Sequence, residues 1–305
     1  MALLKFRPKD ETADTRPGNR ALATLLKGAS IEVMPRTLAK IPDLAALLPR
    51  GSRVCIAHIA GTPVAEMVQA AARLRAEGFE PMPHFPARLI TDRAMLAEWI
   101  ARYRGEAGVR EALVLAGGMS APAGIYDSSM QLLESGLFEG FRRLHVAGHP
   151  EGNRDIDPQG GDTRAMAALH RKQDFAREND VAMAIVTQFA FEAAPVIAWT
   201  GRLADQGITL PVHLGVAGPA KLQTLIRFAI ACGVGPSLGV LQRRAMDVTR
   251  LVRPYAPTGF LTDIAIHKAA HPESLIEAVH FFPLGGIAAT AEWLNAHRKP
   301  EQDVS

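Results

Sequence analysis

The sequence predicts a single (β/α)8 barrel. Eight short apolar runs alternate with amphipathic helix patterns through most of its 305 residues. The runs are apolar along their whole length, the mark of strands covered on both faces. Alternating strands and helices imply a parallel sheet joined by crossovers, and eight such units suggest closure into a cylinder rather than an open sheet.

The strands are expected, in order, within SIEVMP, RVCIAHIAG, EPMPHFP, EALVLAGG, RRLHVAGHP, VAMAIVTQF, LPVHLGVAG and IEAVHFFPL. After the second, Val64, Met67, Val68, Ala71 and Leu74 make one apolar stripe, with Glu66, Arg73 and Glu77 outside it. Met95, Leu96, Trp99, Ile100 and Tyr103 repeat that spacing in the next helix. Gly78 and Gly207 stand where helices should end, just before a strand. An insertion over about 238–272 reads as additional helix plus loop, broken by Pro254, Pro257 and Gly259. The expected organisation is a flexible N-terminal segment (1–20), the barrel (21–298) and a flexible tail (299–305).

Composition narrows the function classes. The chain is 48% hydrophobic and 21% charged, enough for a large core, with a net charge of +3. The charges are interspersed, so no nucleic-acid stripe is expected. No stretch approaches the roughly 18 apolar residues of a membrane span. The charged N-terminus carries no apolar signal region. The two cysteines, Cys55 and Cys232, lie far apart in apolar runs and read as buried free thiols in a reducing compartment, the cytoplasm.

In such a barrel, chemistry sits at the C-terminal ends of the strands. The sixth run ends in Thr187-Gln188, followed by Phe189 and Phe191. A side-chain amide there can donate to and accept from a heterocycle. The phenylalanines either stack on a flat ligand or fill the rim. Glu32 stands between Ile31 and Val33 in the first strand. A carboxylate there is costly unless paired or functional, and burial would raise its pKa toward that of a general acid.

His58 and His84 are placed at the ends of strands two and three, with His145 and His149 in strand five facing one side. His213 and His280 lie in strands seven and eight. A metal site would need more carboxylates among them and a His-x-His in the first strand, so none is assigned. Arg171 and Lys172 are either solvated cations or phosphate ligands. The glycines of LAGG (115–118) and GVAG (215–218) let a ligand approach the backbone.

Taken in order, several of these motifs resemble one family. SIEVMP, PHF (83–85), VAGHPEGN, LHRK, VTQFAFE, LPVHLGVAG, IRFAIACGVGPS and VHFFPL follow one another as their counterparts do in methylenetetrahydrofolate reductase, from about residue 29 to 296. The resemblance implies a barrel that binds FAD at the strand ends. NADH or NADPH would reduce the flavin, which reduces 5,10-methylenetetrahydrofolate to 5-methyltetrahydrofolate for one-carbon metabolism and methionine biosynthesis.

Carried over, Glu32 is the catalytic acid, and Gln188, Phe189, Phe191 and Leu222 meet the folate. His58, Ala60, His84, Gly117, Gly118, His149, Asn153, Arg171 and Lys172 fall at FAD-contacting positions. The expected partners are the folate and the nicotinamide nucleotide, with neither nucleic acid nor membrane; a homo-oligomer is allowed. The family's Leu-Arg-Gly-Asp after strand four is LAGG here, with Ala116 for the arginine and Gly118 for the aspartate. That change keeps two alternatives open, a flavin-free reductase and a folate-binding subunit without catalysis. A metal-dependent barrel hydrolase stands further off.

Overall fold

The computed structural model describes residues 16–233, 239, 241 and 254–298. Eight parallel strands close into a barrel in chain order: β1 (Ser30–Val33), β2 (Arg53–Ile56), β3 (Glu80–Pro86), β4 (Glu111–Leu115), β5 (Arg143–Gly148), β6 (Met183–Thr187), β7 (Val212–Ala217) and β8 (Ile276–Phe282). All eight fall inside the expected runs. β8 closes on β1 through Ser30 opposite His280. One register shift, between Val212 and His213, lets both Glu277 and Ala278 face β7.

The helices are α1 (Arg16–Leu25), α2 (Pro35–Leu38), α3 (Val64–Ala76), α4 (Arg93–Ala107), α5 (Ser129–Leu133), α6 (Thr163–Glu178), α7 (Ala193–Asp205), α8 (Leu222–Ala231), α9 (Thr258–Ala270) and α10 (Ile287–His297). The stripes predicted in α3 and α4 are largely buried, through Met67, Val68, Ala71 and Leu74, then Leu96, Trp99, Ile100 and Tyr103. Asp92 caps α4 by accepting from the Met95 N–H at 2.9 Å. Gly78 and Gly207 follow their helices at φ 88° and 79°, the left-handed geometry that ends a helix.

Three expectations about the chain's organisation change. Helix α1 covers Arg16–Leu25, so residues 16–20 are helical rather than a flexible end. The rest of that segment (1–15) and the tail (299–305) lie outside the described residues. Within the insertion, 238, 240 and 242–253 also lie outside them. Gly259 breaks nothing: it sits inside α9, which begins directly after Pro257. Cys232 is exposed at the end of α8, and only Cys55 is buried.

Strand alternation sorts the side chains. Ile31, Val54, Ile56, Val114, Val146, Ile185, Leu214 and Phe281 pack outward against the helices. Cys55, Met82, Leu113 and Val186 meet inside the barrel. At the N-terminal face the inward carboxylate of Glu111 accepts from Arg53 at 2.6 Å and from Arg142. Glu80 there pairs with Arg75 at 2.8 Å and Arg110 at 2.9 Å. This ionic floor closes the end opposite the site. No helix among the described residues is long and apolar enough to cross a membrane.

Candidate active site

Two side chains one step apart on the inner face of β1, Ser30 and Glu32, organise the barrel mouth. Glu32 Oε2 lies 3.3 Å from Nε2 of His84 on β3 and 3.9 Å from Nε2 of His280 on β8. The other ring nitrogen of His280 is 2.9 Å from Ser30 Oγ. The direction of that bond follows the His280 tautomer, and Nε2 faces Glu32 beyond hydrogen-bond distance.

This corrects the expectation for Glu32. Burial does push its carboxyl up, but the adjacent imidazoles of His280 and His84 outweigh burial and hold it at about 2. The residue is a carboxylate beside two imidazoles, not a stored acid. Its side chain is 20% exposed, so it is reachable from the mouth.

Gln188 directly follows β6. Its backbone N–H donates to Gly148 O at 3.0 Å. Its side-chain oxygen accepts from the Phe189 N–H at 3.1 Å. No described residue pairs with its amide nitrogen, which leaves a donor at the same end of the barrel as Glu32. Phe189 and Phe191 are buried with Leu222 in a satellite cluster. Their rings meet each other at 5.8 Å, Phe189 meets Phe282 at 5.7 Å, and Phe191 meets Tyr255 at 5.3 Å. Of the two roles weighed, they fill the rim, and they brace the turn that carries Gln188.

A cavity of roughly 270 Å³ opens beside the ends of β4 and β5, against α5 and α6. Ala116, Ala147, His149, Arg171, Lys172 and Trp199 are among its lining residues. Lys172 is central to it. The residue lies midway along α6 and is buried to 8% exposure. No described residue pairs with its ammonium. Burial alone brings it down to about 8. It is a largely buried cation with no partner among the described residues. Burial, and then Lys172 itself, lower the neighbouring His149 to about 4, so that ring is neutral near pH 7.

The remaining expected contacts divide. Arg171 lines the cavity, but its side chain is 66% exposed and its guanidinium is held by Glu134 at 2.8 Å. Asn153 lies 3.5 Å from His149 Nδ1. Gly117 adopts φ +94°, and a Cβ there would meet Pro86 at 3.0 Å; Gly118 faces open space, as a ligand approaching the backbone requires. Gly215 does not serve that purpose, because a Cβ would strike Thr187 O at 2.2 Å; its role is to let β6 and β7 close up. His58 lies beyond β2, stacks on Trp99 at 4.7 Å and donates to Thr62 O at 3.0 Å. Ala60 is exposed in the same loop.

Of these histidines only His84 and His280 face Glu32 at the mouth. His145 is wholly buried, its ring tilted against that of His213 at 5.0 Å, and His213 Nε2 donates to Glu277 at 2.9 Å. His149, two residues beyond Ala147, belongs to the lateral cavity, so His145 and His149 do not share surroundings. Among the described residues no group of three or more His, Cys, Asp or Glu is arranged to hold a metal ion.

Sequence reasoning missed two partners. Ser30 was legible from its two-residue spacing to Glu32, which puts both on one face. Arg88 was not. It reaches from the end of β3 to Asp127 at 2.8 Å and to Met119 O at 2.8 Å, walling the cavity. Glu32, His84 and Gln188 do not line that cavity. The structure thus presents two features, a carboxylate–imidazole mouth and a lateral cavity that holds Lys172 together with the carboxylates of Asp127 and Asp162.

No protein-family model matches the sequence. Among solved structures the chain is similar to a D-hydantoinase, at 12% identity and a TM-score of 0.32, over 57% of this chain. The match spans 41% of the hydantoinase's own length. A likeness that weak carries no argument about activity.

Proposed function

We propose that the protein is a divergent reductase of the methylenetetrahydrofolate reductase kind, moving a hydride between NAD(P)H and a folate one-carbon unit. The observation that carries the reading is Glu32, ionised between His84 and His280 at the barrel mouth. A fixed carboxylate stabilises positive charge developing on a substrate nitrogen or carbon as a methylene bridge opens. The two imidazoles supply and receive the proton that Glu32 exchanges with the substrate. The free amide N–H of Gln188 fixes a ring acceptor across the mouth, which orients the flat substrate for transfer.

FAD is the favoured cofactor, and the lateral pocket is chemically suited to part of it. Lys172 would hold a phosphate oxygen, and Gly118 admits the ligand close to the backbone. At roughly 270 Å³ the pocket is below the ~300–1,000 Å³ usual for enclosing a drug-sized ligand, so most of a dinucleotide would lie over the rim. When bound, a flavin supplies reversible hydride storage. A second reading, direct transfer from nicotinamide without flavin, is favoured by one observation: neither Glu32 nor Gln188 lines the pocket that holds Lys172.

The purified protein separates these readings. A yellow protein that oxidises NADH or NADPH and forms 5-methyltetrahydrofolate supports the flavin form. A colourless protein with the same activity supports direct transfer. Folate binding without turnover under either nucleotide would leave a binding subunit and end the reductase proposal.

A further inference from the structure

The lateral cavity encloses an amine as well as a charge. Lys172 lines it from the middle of α6 and is buried to 8% exposure. The other charged groups on the wall are engaged elsewhere. Asp127 pairs with Arg88 at 2.8 Å, Asp162 with Arg202 at 3.0 Å, and Arg171 with Glu134 at 2.8 Å. His149 is neutral near pH 7, lowered by burial and then by Lys172. Among the described residues none pairs with the Lys172 nitrogen, so its ammonium form has no counter-charge.

Burial without a partner favours the free amine. A lysine free base is a nucleophile, and desolvation is one way a protein obtains it near neutral pH. The wall around it is largely apolar, through Met130, Ile156, Met166, Leu169 and Trp199. At roughly 270 Å³ the space encloses a small molecule beside the side chain, and only part of a dinucleotide.

We propose that Lys172 is a carbonyl-reactive residue, which takes small apolar aldehydes into the lateral cavity as imines. The step balances without a redox partner. The ammonium gives one proton to water at the cavity opening. Nζ then attacks the carbonyl carbon, a C–N bond forms, and the carbonyl oxygen gains a proton. The carbinolamine loses water as the C=N bond forms, and a neutral imine remains. The site suits that product better than the ammonium it replaces, because a buried charge without a partner is costly and an uncharged C=N is not. His149, neutral on the same wall, is the group available to carry the proton that the departing hydroxyl takes.

This chemistry is independent of the hydride reading. A phosphate oxygen and a carbonyl carbon compete for the same nitrogen, so a flavin bound through Lys172 protects it from aldehydes.

Reductive trapping tests the proposal. Full-length protein freed of bound nucleotide is treated at pH 7.5 with limiting benzaldehyde, and separately with formaldehyde, in the presence of cyanoborohydride. Peptide mass spectrometry then maps the alkylated lysines. With at least one aldehyde, Lys172 is expected to label about tenfold or more faster than the exposed Lys27, Lys40 and Lys221, with a rate that rises through pH 8. Lys172→Arg, which keeps the charge, is expected to lose this adduct and keep the surface ones. Added FAD is expected to slow labelling at Lys172 alone under the flavin reading; labelling that FAD leaves unchanged counts against that reading and still supports the imine. Lys172 labelled by neither aldehyde faster than the surface lysines would overturn the proposal, whether or not the protein turns over folate.

Discussion

Nε2 of His84 lies 3.3 Å from Oε2 of Glu32, bringing β3 and β1 together across the inner face of β2. Together with His280, this pair sets the ionisation of the carboxylate at the mouth. Burial raises the Glu32 pKa, and His280 and His84 more than reverse it. His84→Gln removes one of the two opposing groups. The acid limb of the pH profile of kcat/KM is expected to move to higher pH, because Glu32 then protonates sooner. An unmoved limb would show that His84 does not control this group.

Lys172 gives opposite effects with and without ligand. As a buried cation without a partner it opposes folding, so Lys172→Met is expected to raise the melting temperature of the free protein. The same change removes the pocket's charge. Affinity for a phosphate-bearing ligand is expected to fall by about 1.5–3 kcal/mol, roughly 10- to 150-fold. Calorimetry on both proteins reads both effects. In the parent, binding is expected to weaken above pH 8, where the free lysine loses its proton, and to take up protons there.

Acid should unfold the protein earlier than its carboxylates alone would require. His145, His213 and His280 all have pKa values lowered first by burial. A lowered histidine contributes stability that is fully present above the unfolded value of 6.5 and declines as pH falls below it, because only the unfolded chain takes up the proton. Urea midpoints are expected to drop between pH 7.5 and pH 5. His145→Phe should flatten that slope. A slope as steep as the parent's would remove His145 from the account.

The ionic floor is a stability element and not part of the site. Glu111 has a side chain only 4% exposed and satisfies Arg53 and Arg142 together. Glu111→Ala leaves Arg53 without its carboxylate at the barrel's closed end, while the half-exposed Arg142 keeps solvent and Glu80, and is expected to cost about 2–3 kcal/mol. Denaturant titration measures this. Ligand affinity at the lateral pocket should remain unchanged in the folded fraction.

Most of the fold was legible because the strands are apolar along their length and the helix stripes are regular. β3 matches its predicted run residue for residue, and Gly78 and Gly207 end their helices as their positions suggested. The site was legible only in part. Glu32 stood out as a charge in an apolar strand, but the direction of its pKa depends on His84 and His280, which are 52 and 248 residues away and meet it only through barrel closure. The sequence leaves Lys172 as either a solvated cation or a phosphate ligand, because a helix pattern does not reveal which neighbouring elements cover it. Gly215 looked like a ligand contact because its packing partner, Thr187, lies on another strand.

The most direct test compares the parent protein with Glu32→Gln, following conversion of 5,10-methylenetetrahydrofolate with reduced nicotinamide nucleotide under anaerobic conditions. The account predicts that the amide lowers turnover by about 10²–10⁴-fold while leaving nucleotide binding intact. Equal turnover in the two proteins would contradict it.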